Sequence, residues 1–459
     1  VRKWLALVAL AYVAVQLLVM PRMGLGWDEA VYVSQVNPRV PAADFTAPRA
    51  RGIPLLVAPM VALTSSVTAL RIYLSLASGL ALFLSFGTWL RLRLGAVVPL
   101  AALLFASLWL AVFYGNEAMP NMWVAFGAVA AAGCYLQIAR GEGGRRALAG
   151  LAVSVGLVAL VRPSDSLWLA LPLLAALVLV RRGRRGLTFA ILGGLVAGWA
   201  EWIAEAWIRF GGLAARWDAA AVDNRTGLTS SLIKHARALD GPLLCRPPAH
   251  CGSVLMPWLL WWVSIPLLVG LGLYAARDRL PEVGLATATG VSLALPYLFF
   301  VDYAAPRFLL PCYALLAIPI AQGAAWVLTW RPRVVGVGLV ALGLAAHFAL
   351  QGLALWVSNP MRLAARRADQ VIAGRLATMG ITRPCFLYGD DAVQVAYYVG
   401  CRSFGVRVWP TTPALPKPLA RTAGEHIAVI ARGDAVPAPF LRTWDKNPLT
   451  RGWIAYIPH

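Results

Sequence analysis

Val1-Arg-Lys-Trp-Leu-Ala-Leu-Val-Ala-Leu-Ala-Tyr-Val-Ala-Val-Gln-Leu-Leu-Val-Met20 decides what kind of chain this is. Two basic residues precede a run that is apolar except for Gln16. Such a run is long enough to cross about 30 Å of hydrocarbon as a helix. No small-residue cleavage site is clear before Pro21, so the run reads as an uncleaved first span rather than a removed signal. Two carboxylates follow closely, in Gly24-Leu-Gly-Trp-Asp-Glu-Ala-Val-Tyr.

The pattern repeats outward from there. Of 459 residues, 60% are hydrophobic and 13% charged, against about 25% charged in soluble domains. That excludes an ordinary soluble enzyme, and also disorder, which needs low hydrophobicity. The formal net charge of +21 does not indicate nucleic acid, because the basic residues sit in short clusters between apolar stretches rather than in one patch. Apolar runs of spanning length fall at about 4–20, 69–90, 96–114, 120–138, 147–161, 164–180, 187–208, 257–276, 283–301, 307–329 and 334–357. The fold class expected is an α-helical polytopic membrane protein of about 11 transmembrane helices.

Arg2/Lys3, Arg91/Arg93, Arg140/Arg145/Arg146, Arg181/Arg182/Arg184/Arg185, Arg277/Arg279 and Arg331/Arg333 occupy every second connection. The positive-inside rule places them in the cytoplasm. The N-terminus is then inside, and an odd number of spans puts the C-terminus outside. The excess of Arg over Lys, with so much Ala, is what a GC-rich bacterial coding bias produces.

Two domains follow: a membrane module over 1–357, with outer loops 21–68 and 209–256, and an extracytoplasmic domain over 358–459. The tail holds a helical pattern at Ala364–Met379, then Cys385-Phe-Leu-Tyr, a helical Asp391–Tyr398, and apolar runs at His426–Ala431 and Trp453–Ile457. Strands alternating with helices point to a small α/β domain. Cys245 and Cys251 in the second outer loop, and Cys385 and Cys401 in the tail, face an oxidising compartment and are expected as two disulfides. A metal pair with His250, or free thiols, is the alternative for Cys245 and Cys251. Cys134 and Cys312 lie in spans and read as packing residues.

Ionisable groups at membrane depth are costly, so they mark candidate sites. Asp28 and Glu29 stand at the outer interface. Asp28 could instead cap a helix starting at Glu29, but capping needs no second carboxylate beside it. The run Ile53–Leu63 is too short to span and reads as interfacial or re-entrant. It brings Arg49 and Arg51 near the headgroups, where guanidinium forks suit phosphate and where generic attraction to anionic lipid would also place them. The pair 147–161 and 164–180 is broken by Val161-Arg-Pro-Ser-Asp. Arg162 and Asp165 there would line a water-filled cavity or form a plain ion-paired turn. Glu201, Glu205 and Arg209 share one helix face and read as a salt-bridge ladder. Glu117, in Tyr114-Gly-Asn-Glu-Ala-Met-Pro, and Asp302 and Arg307, in Asp302-Tyr-Ala-Ala-Pro-Arg-Phe-Leu-Leu-Pro, lie at the same side of the membrane. Glu117, Arg162, Asp165 and Asp302 are the expected lining of an outward-facing polar chamber.

Taken in order, Trp27-Asp-Glu-Ala-Val-Tyr, Pro48-Arg-Ala-Arg-Gly, Thr68-Ala-Leu-Arg-Ile-Tyr, Tyr114-Gly-Asn-Glu-Ala-Met-Pro-Asn, Leu160-Val-Arg-Pro-Ser-Asp and Pro306-Arg-Phe-Leu-Leu-Pro give a chain that resembles the GT-C glycosyltransferases. The branch is that of protein O-mannosyltransferases and aminoarabinose transferases, and the resemblance covers roughly residues 1–357. It implies transfer of a sugar from a polyprenyl-phosphate-linked donor to a hydroxyl acceptor (glycan, lipid or protein) on the outer face, with inversion. It implies Asp28 as catalytic base, with Glu29 beside it. It also implies a basic group on the leaving phosphate, for which Arg49, Arg51 and Arg307 are candidates. Relatives often place a histidine- or lysine-proline element after the first-loop acid, where this chain has Ala47-Pro-Arg-Ala-Arg-Gly, so the phosphate contact would pass to Arg. Without an Asp-x-Asp motif the sequence does not call for a divalent metal, although Asp28-Glu29 could recruit one. The competing reading is a lipid or solute transporter or flippase with an outward-facing chamber. That architecture uses matching broken helices in two halves, and only one broken pair is visible here. A scaffold whose tail binds a partner would leave the costly buried carboxylates without purpose.

The charge alternation makes a direct prediction. A cysteine introduced at Thr443 should react with a membrane-impermeant maleimide in intact cells, and one at Arg185 only after permeabilisation. Protection of Thr443→Cys in intact cells would overturn the topology.

Overall fold

The computed structural model describes residues 1–19, 23–180, 183–241, 243–246, 251–406, 409–422, 424–433, 438–450 and 452–458. Arg181, Arg182 and His250 lie outside the described residues. Among these residues, nine helices are long and apolar enough to cross a membrane. The count is ten if the bent pair Val97–Ala106 and Trp109–Gly115, meeting at 74°, forms one span. The molecule is a polytopic helical membrane protein with a small mixed sheet near its C-terminus.

The difference from eleven spans has a local cause. Pro163 lacks an N–H and restricts the residue before it, so the helix Gly144–Val161 stops and a new one starts with Pro163 in its first turn. The second piece, Pro163–Leu179, falls in the class of shorter apolar helices. The expected interfacial run forms a 12-residue helix, Gly52–Leu63, also below spanning length.

The chain divides into two compact units. The first comprises Val1–Met20, Thr46–Gly52 and Tyr73–Ser358; the second comprises Pro21–Phe45, Ile53–Ile72 and Asn359–His459. Most of residues 21–68 therefore belongs with the C-terminal tail.

Within the second unit, five strands form one sheet: β1 (Cys385–Gly389), β2 (Arg402–Gly405), β3 (His426–Arg432), β4 (Asp445–Thr450) and β5 (Trp453–Ile457). Their order is β2-β1-β3-β5-β4. β1 runs parallel to β2 and β3, with Leu387 opposite Ser403 and Ala428; β5 runs antiparallel to β3 and β4. A parallel strand covered on both faces reads as a continuous apolar run, which is why Cys385-Phe-Leu-Tyr-Gly is buried throughout. Leu387 faces a core with Ile372, Leu376 and Val395, while Phe386 and Tyr388 face a second with Val429, Phe440 and Tyr456. The helix Ala392–Val399 follows β1, and Cys385 is bonded to Cys401 across it, with Cα atoms 4.8 Å apart. In the first unit Cys245 is bonded to Cys251, with Cα atoms 5.5 Å apart.

Candidate functional site

In the second unit, the Gly24–Tyr32 stretch begins as a loop and becomes the helix Trp27–Ser34, with Gly26 as its N-cap. Asp28 is therefore not the cap but lies in the first turn, where the helix dipole favours a carboxylate. The capping is done by Glu29, whose Oε2 accepts from the Gly26 N–H at 3.0 Å.

Glu29 is 1% exposed and Arg71 is fully buried. Arg71 Nη1 donates to Glu29 Oε1 at 2.5 Å, and Nη2 donates to Oε2 at 2.7 Å. This is the two-point fork that only a guanidinium presents to a carboxylate. Arg71 also donates to the carbonyls of Met23 at 3.1 Å and Gly24 at 2.8 Å. Arg366 Nη1 adds a bond to Glu29 Oε2 at 3.0 Å. Burial alone would raise the Glu29 pKa. The Arg71 charge and hydrogen bonds, with Arg366, outweigh it and hold the carboxyl below its ordinary value. Glu29 is thus a charged anchor, and Asp28 beside it is partly exposed.

In the first unit, a second junction forms around Glu205. Its Oε1 takes Arg51 Nη2 at 2.5 Å and Arg209 Nη1 at 2.9 Å, and its Oε2 takes Arg216 Nη2 at 2.8 Å. The Arg51 N–H donates to Glu201 Oε2 at 3.2 Å. Arg216 is fully buried. It donates to the carbonyls of Ala47, Trp202 and Arg49, with its guanidinium 4.3 Å from the Trp202 ring centre. The Glu201/Glu205/Arg209 ladder expected from spacing is thus part of a larger junction that pins the 46–52 segment. It commits Arg51 to Glu205, and Arg49 keeps its place through its own carbonyl.

The break at Val161-Arg-Pro opens onto a cavity of about 620 Å³. Arg162 and Asp165 line it, together with Trp168, Trp199, Trp217 and Tyr297. Arg162 Nε lies 3.3 Å from Asp165 Oδ2, and its guanidinium sits over the Tyr297 and Phe308 rings at 5.3 and 5.1 Å. Tyr297 Oη donates to Asp165 Oδ1. The wall is aromatic with one charged corner, a shape suited to an amphipathic ligand.

Glu117 and Asp302 are not among the residues lining that cavity. Glu117 is buried in its turn. Asp302 is 42% exposed and ion-paired to Lys234, whose hydrogen bond and charge hold its pKa below the ordinary value. Arg307 donates to the Leu243 carbonyl at 3.4 Å and lies against the Tyr114 and Phe308 rings. Among the described residues no three His, Cys, Asp or Glu side chains converge to hold a metal ion.

Arg71, Arg216 and Arg366 were missing from the residues expected to matter. Arg71 had a readable signal, a charge inside an apolar run, within Thr68-Ala-Leu-Arg-Ile-Tyr. Arg216 and Arg366 lie in polar stretches where one Arg looks like another.

The fold has counterparts among solved structures. The chain superposes on ArnT from Cupriavidus metallidurans bound to undecaprenyl phosphate with a TM-score of 0.69 and 13% identity, covering 99% of this chain and 98% of that one. It superposes on the Archaeoglobus fulgidus oligosaccharyltransferase tethered to an acceptor peptide with a TM-score of 0.57 and 12% identity, covering 100% and 74%. The arabinofuranosyltransferase AftD from Mycobacteria gives 0.54 and 14%, covering 100% and 40%. No family model and no curated protein sequence matches the chain. The fold is that of the ArnT structure, over 99% of this chain and 98% of that one.

The anchor carries a pH dependence. Glu29 has a folded pKa below its ordinary 4.5, so its stabilisation is fully present above that value and is lost as pH falls through the lowered one. Breaking a buried pair by removing one partner costs about 3–5 kcal/mol. Glu29→Gln should therefore lower the thermal midpoint in detergent at pH 7 and flatten its decline on acidification. A variant with the parent's midpoint and the parent's acid response would show that the pair anchors nothing.

Proposed function

We propose that this chain is a glycosyltransferase that moves a sugar from a polyprenyl-phosphate-linked donor to a hydroxyl acceptor on the outer face of the membrane. The observation that carries the reading is a part-exposed carboxylate on a fixed helix start. Glu29 does the capping and the anchoring. Asp28 stands beside it, part-exposed in the first turn of the same helix. A carboxylate so held suits a general base, which must be ionised and rigidly placed.

In this mechanism Asp28 takes the proton of the acceptor hydroxyl as its oxygen attacks the anomeric carbon. The bond from that carbon to the lipid phosphate breaks on the opposite side, the phosphate leaves with the electron pair, and configuration inverts. Charge grows on the departing phosphate, so a cation must meet it. Arg49, Arg51 and Arg307 are the proposed phosphate contacts, as the family resemblance implies. The aromatic cavity with Arg162 and Asp165 at its corner takes an amphipathic substrate. The solved relatives support this: the ArnT structure holds undecaprenyl phosphate, and an archaeal oligosaccharyltransferase, AglB, was solved with a dolichol-phosphate and an inhibitory peptide. The acceptor is a glycan, lipid or protein, with the N-terminus cytoplasmic and the tail outside. No metal is assigned a role.

Asp28→Asn keeps the shape of the side chain but cannot take a proton. It should lose about 10²–10⁴-fold in turnover while folding normally and binding donor as before. Arg307→Ala should weaken donor binding and slow turnover together. Transfer and donor binding are to be measured separately on purified protein. Near wild-type transfer by Asp28→Asn would refute the mechanism.

A further inference from the structure

The loop that precedes Asp28 is held by residues far along the chain, all within the second unit. Arg366 Nη1 donates to the Gly24 carbonyl at 3.1 Å as well as to Glu29. The Leu25 N–H donates to Tyr398 Oη at 2.9 Å. Gly26 has no room for a side chain: a Cβ there would lie 2.8 Å from Arg366 Nη2. Trp27 covers Gly405 on β2 so closely that a Cβ at that glycine would come within 1.7 Å of the indole. Four consecutive residues before Asp28 thus each meet a fixed partner from the C-terminal region.

We propose that Arg366 and Tyr398 are positioning residues for sugar transfer, fixing the Gly24–Trp27 backbone and through it the direction of the Asp28 carboxylate. The inference rests on the reading of Asp28 as the base, and it makes the C-terminal domain a working part of the transfer machinery. Arg71 clamps the carbonyls of Met23 and Gly24, but it leaves the Leu25 N–H and the approach at Gly26 to Tyr398 and Arg366. A base must be placed to within a fraction of an ångström, and a 1 Å misplacement can cost about 10²-fold. Removing Tyr398 Oη would orphan the Leu25 N–H. Removing the Arg366 guanidinium would take away one of the two bonds to the Gly24 carbonyl and one bond to Glu29.

The test uses the purified full-length chain. Turnover is measured with polyprenyl-phosphate sugars extracted from membranes, and binding with undecaprenyl phosphate. Arg366→Met should lower kcat by about 10²-fold with undecaprenyl phosphate binding unchanged. Tyr398→Phe should lower kcat by roughly tenfold, on the scale of one lost hydrogen bond. Gly26→Ala, which leaves both partners in place but pushes the loop off them, should act in the same direction. Arg366→Lys, which keeps the charge but not the fork, should recover part of the loss. If these variants shift only the thermal midpoint, and kcat per folded molecule stays at the parent value, the residues are structural and the proposal fails. Asp28→Asn run in parallel separates the two readings. If it is inactive while Arg366→Met and Tyr398→Phe turn over normally, only the positioning inference falls. If Asp28→Asn is active, the base reading itself falls.

Discussion

The ion pair between Glu29 and Arg71 is the constraint on which the first loop depends. Two opposite charges are withdrawn from water, at 1% and 0% exposure, and meet in a two-point fork. Neither would be tolerable alone, because an unpaired buried charge costs several kcal/mol. Paired, they leave the remaining Arg71 donors to bind the Met23 and Gly24 carbonyls, so one guanidinium fixes a side chain and two backbone groups together. Glu29 simultaneously closes the N-terminus of its own helix. The loop before Asp28 is thereby held both at its carbonyls and at the start of the helix that follows.

The first unit uses the same device for a different segment. Glu205 gathers three arginines, and the most buried of them, Arg216, reaches across to the carbonyls of Ala47 and Arg49. The 46–52 segment is thereby held by its backbone, and the Arg51 side chain is bonded into the junction. In both units a buried arginine holds a segment through its backbone carbonyls. Asp302 is ion-paired to Lys234 and is not among the residues lining the aromatic cavity.

Much of the fold was legible in the sequence, because apolar length and apolar continuity leave a local imprint. Nine or ten of the eleven expected spans followed from run length among the described residues, and β1, β3 and β5 from the apolar segments at 385, 426 and 453. The edge strands β2 and β4 did not, since Arg402–Gly405 and Asp445–Thr450 are largely exposed and carry no alternation to read. The broken helix at 144–179 showed its proline but not its final length, and the bend at 97–115 had no proline at its break to announce it. The site was legible in its acids and poorly legible in its arginines. Asp28 and Glu29 stood out as a pair, yet nothing local says which one is the anchor. That depends on Arg71, 42 residues away, and Arg366, 337 residues away. Arg51 and Glu205 are 154 residues apart. Contacts at such separations are settled by tertiary structure, so the residue types could be read while their partners could not.

The proposed reaction is a single displacement at the anomeric carbon, driven by a hydroxyl that Asp28 deprotonates. The most direct measurement is the anomeric configuration of the transferred sugar, compared with that of the lipid-linked donor by NMR after reaction with the purified protein. Inversion is the expected result. Retention of configuration would require a covalent or double-displacement route and would contradict it.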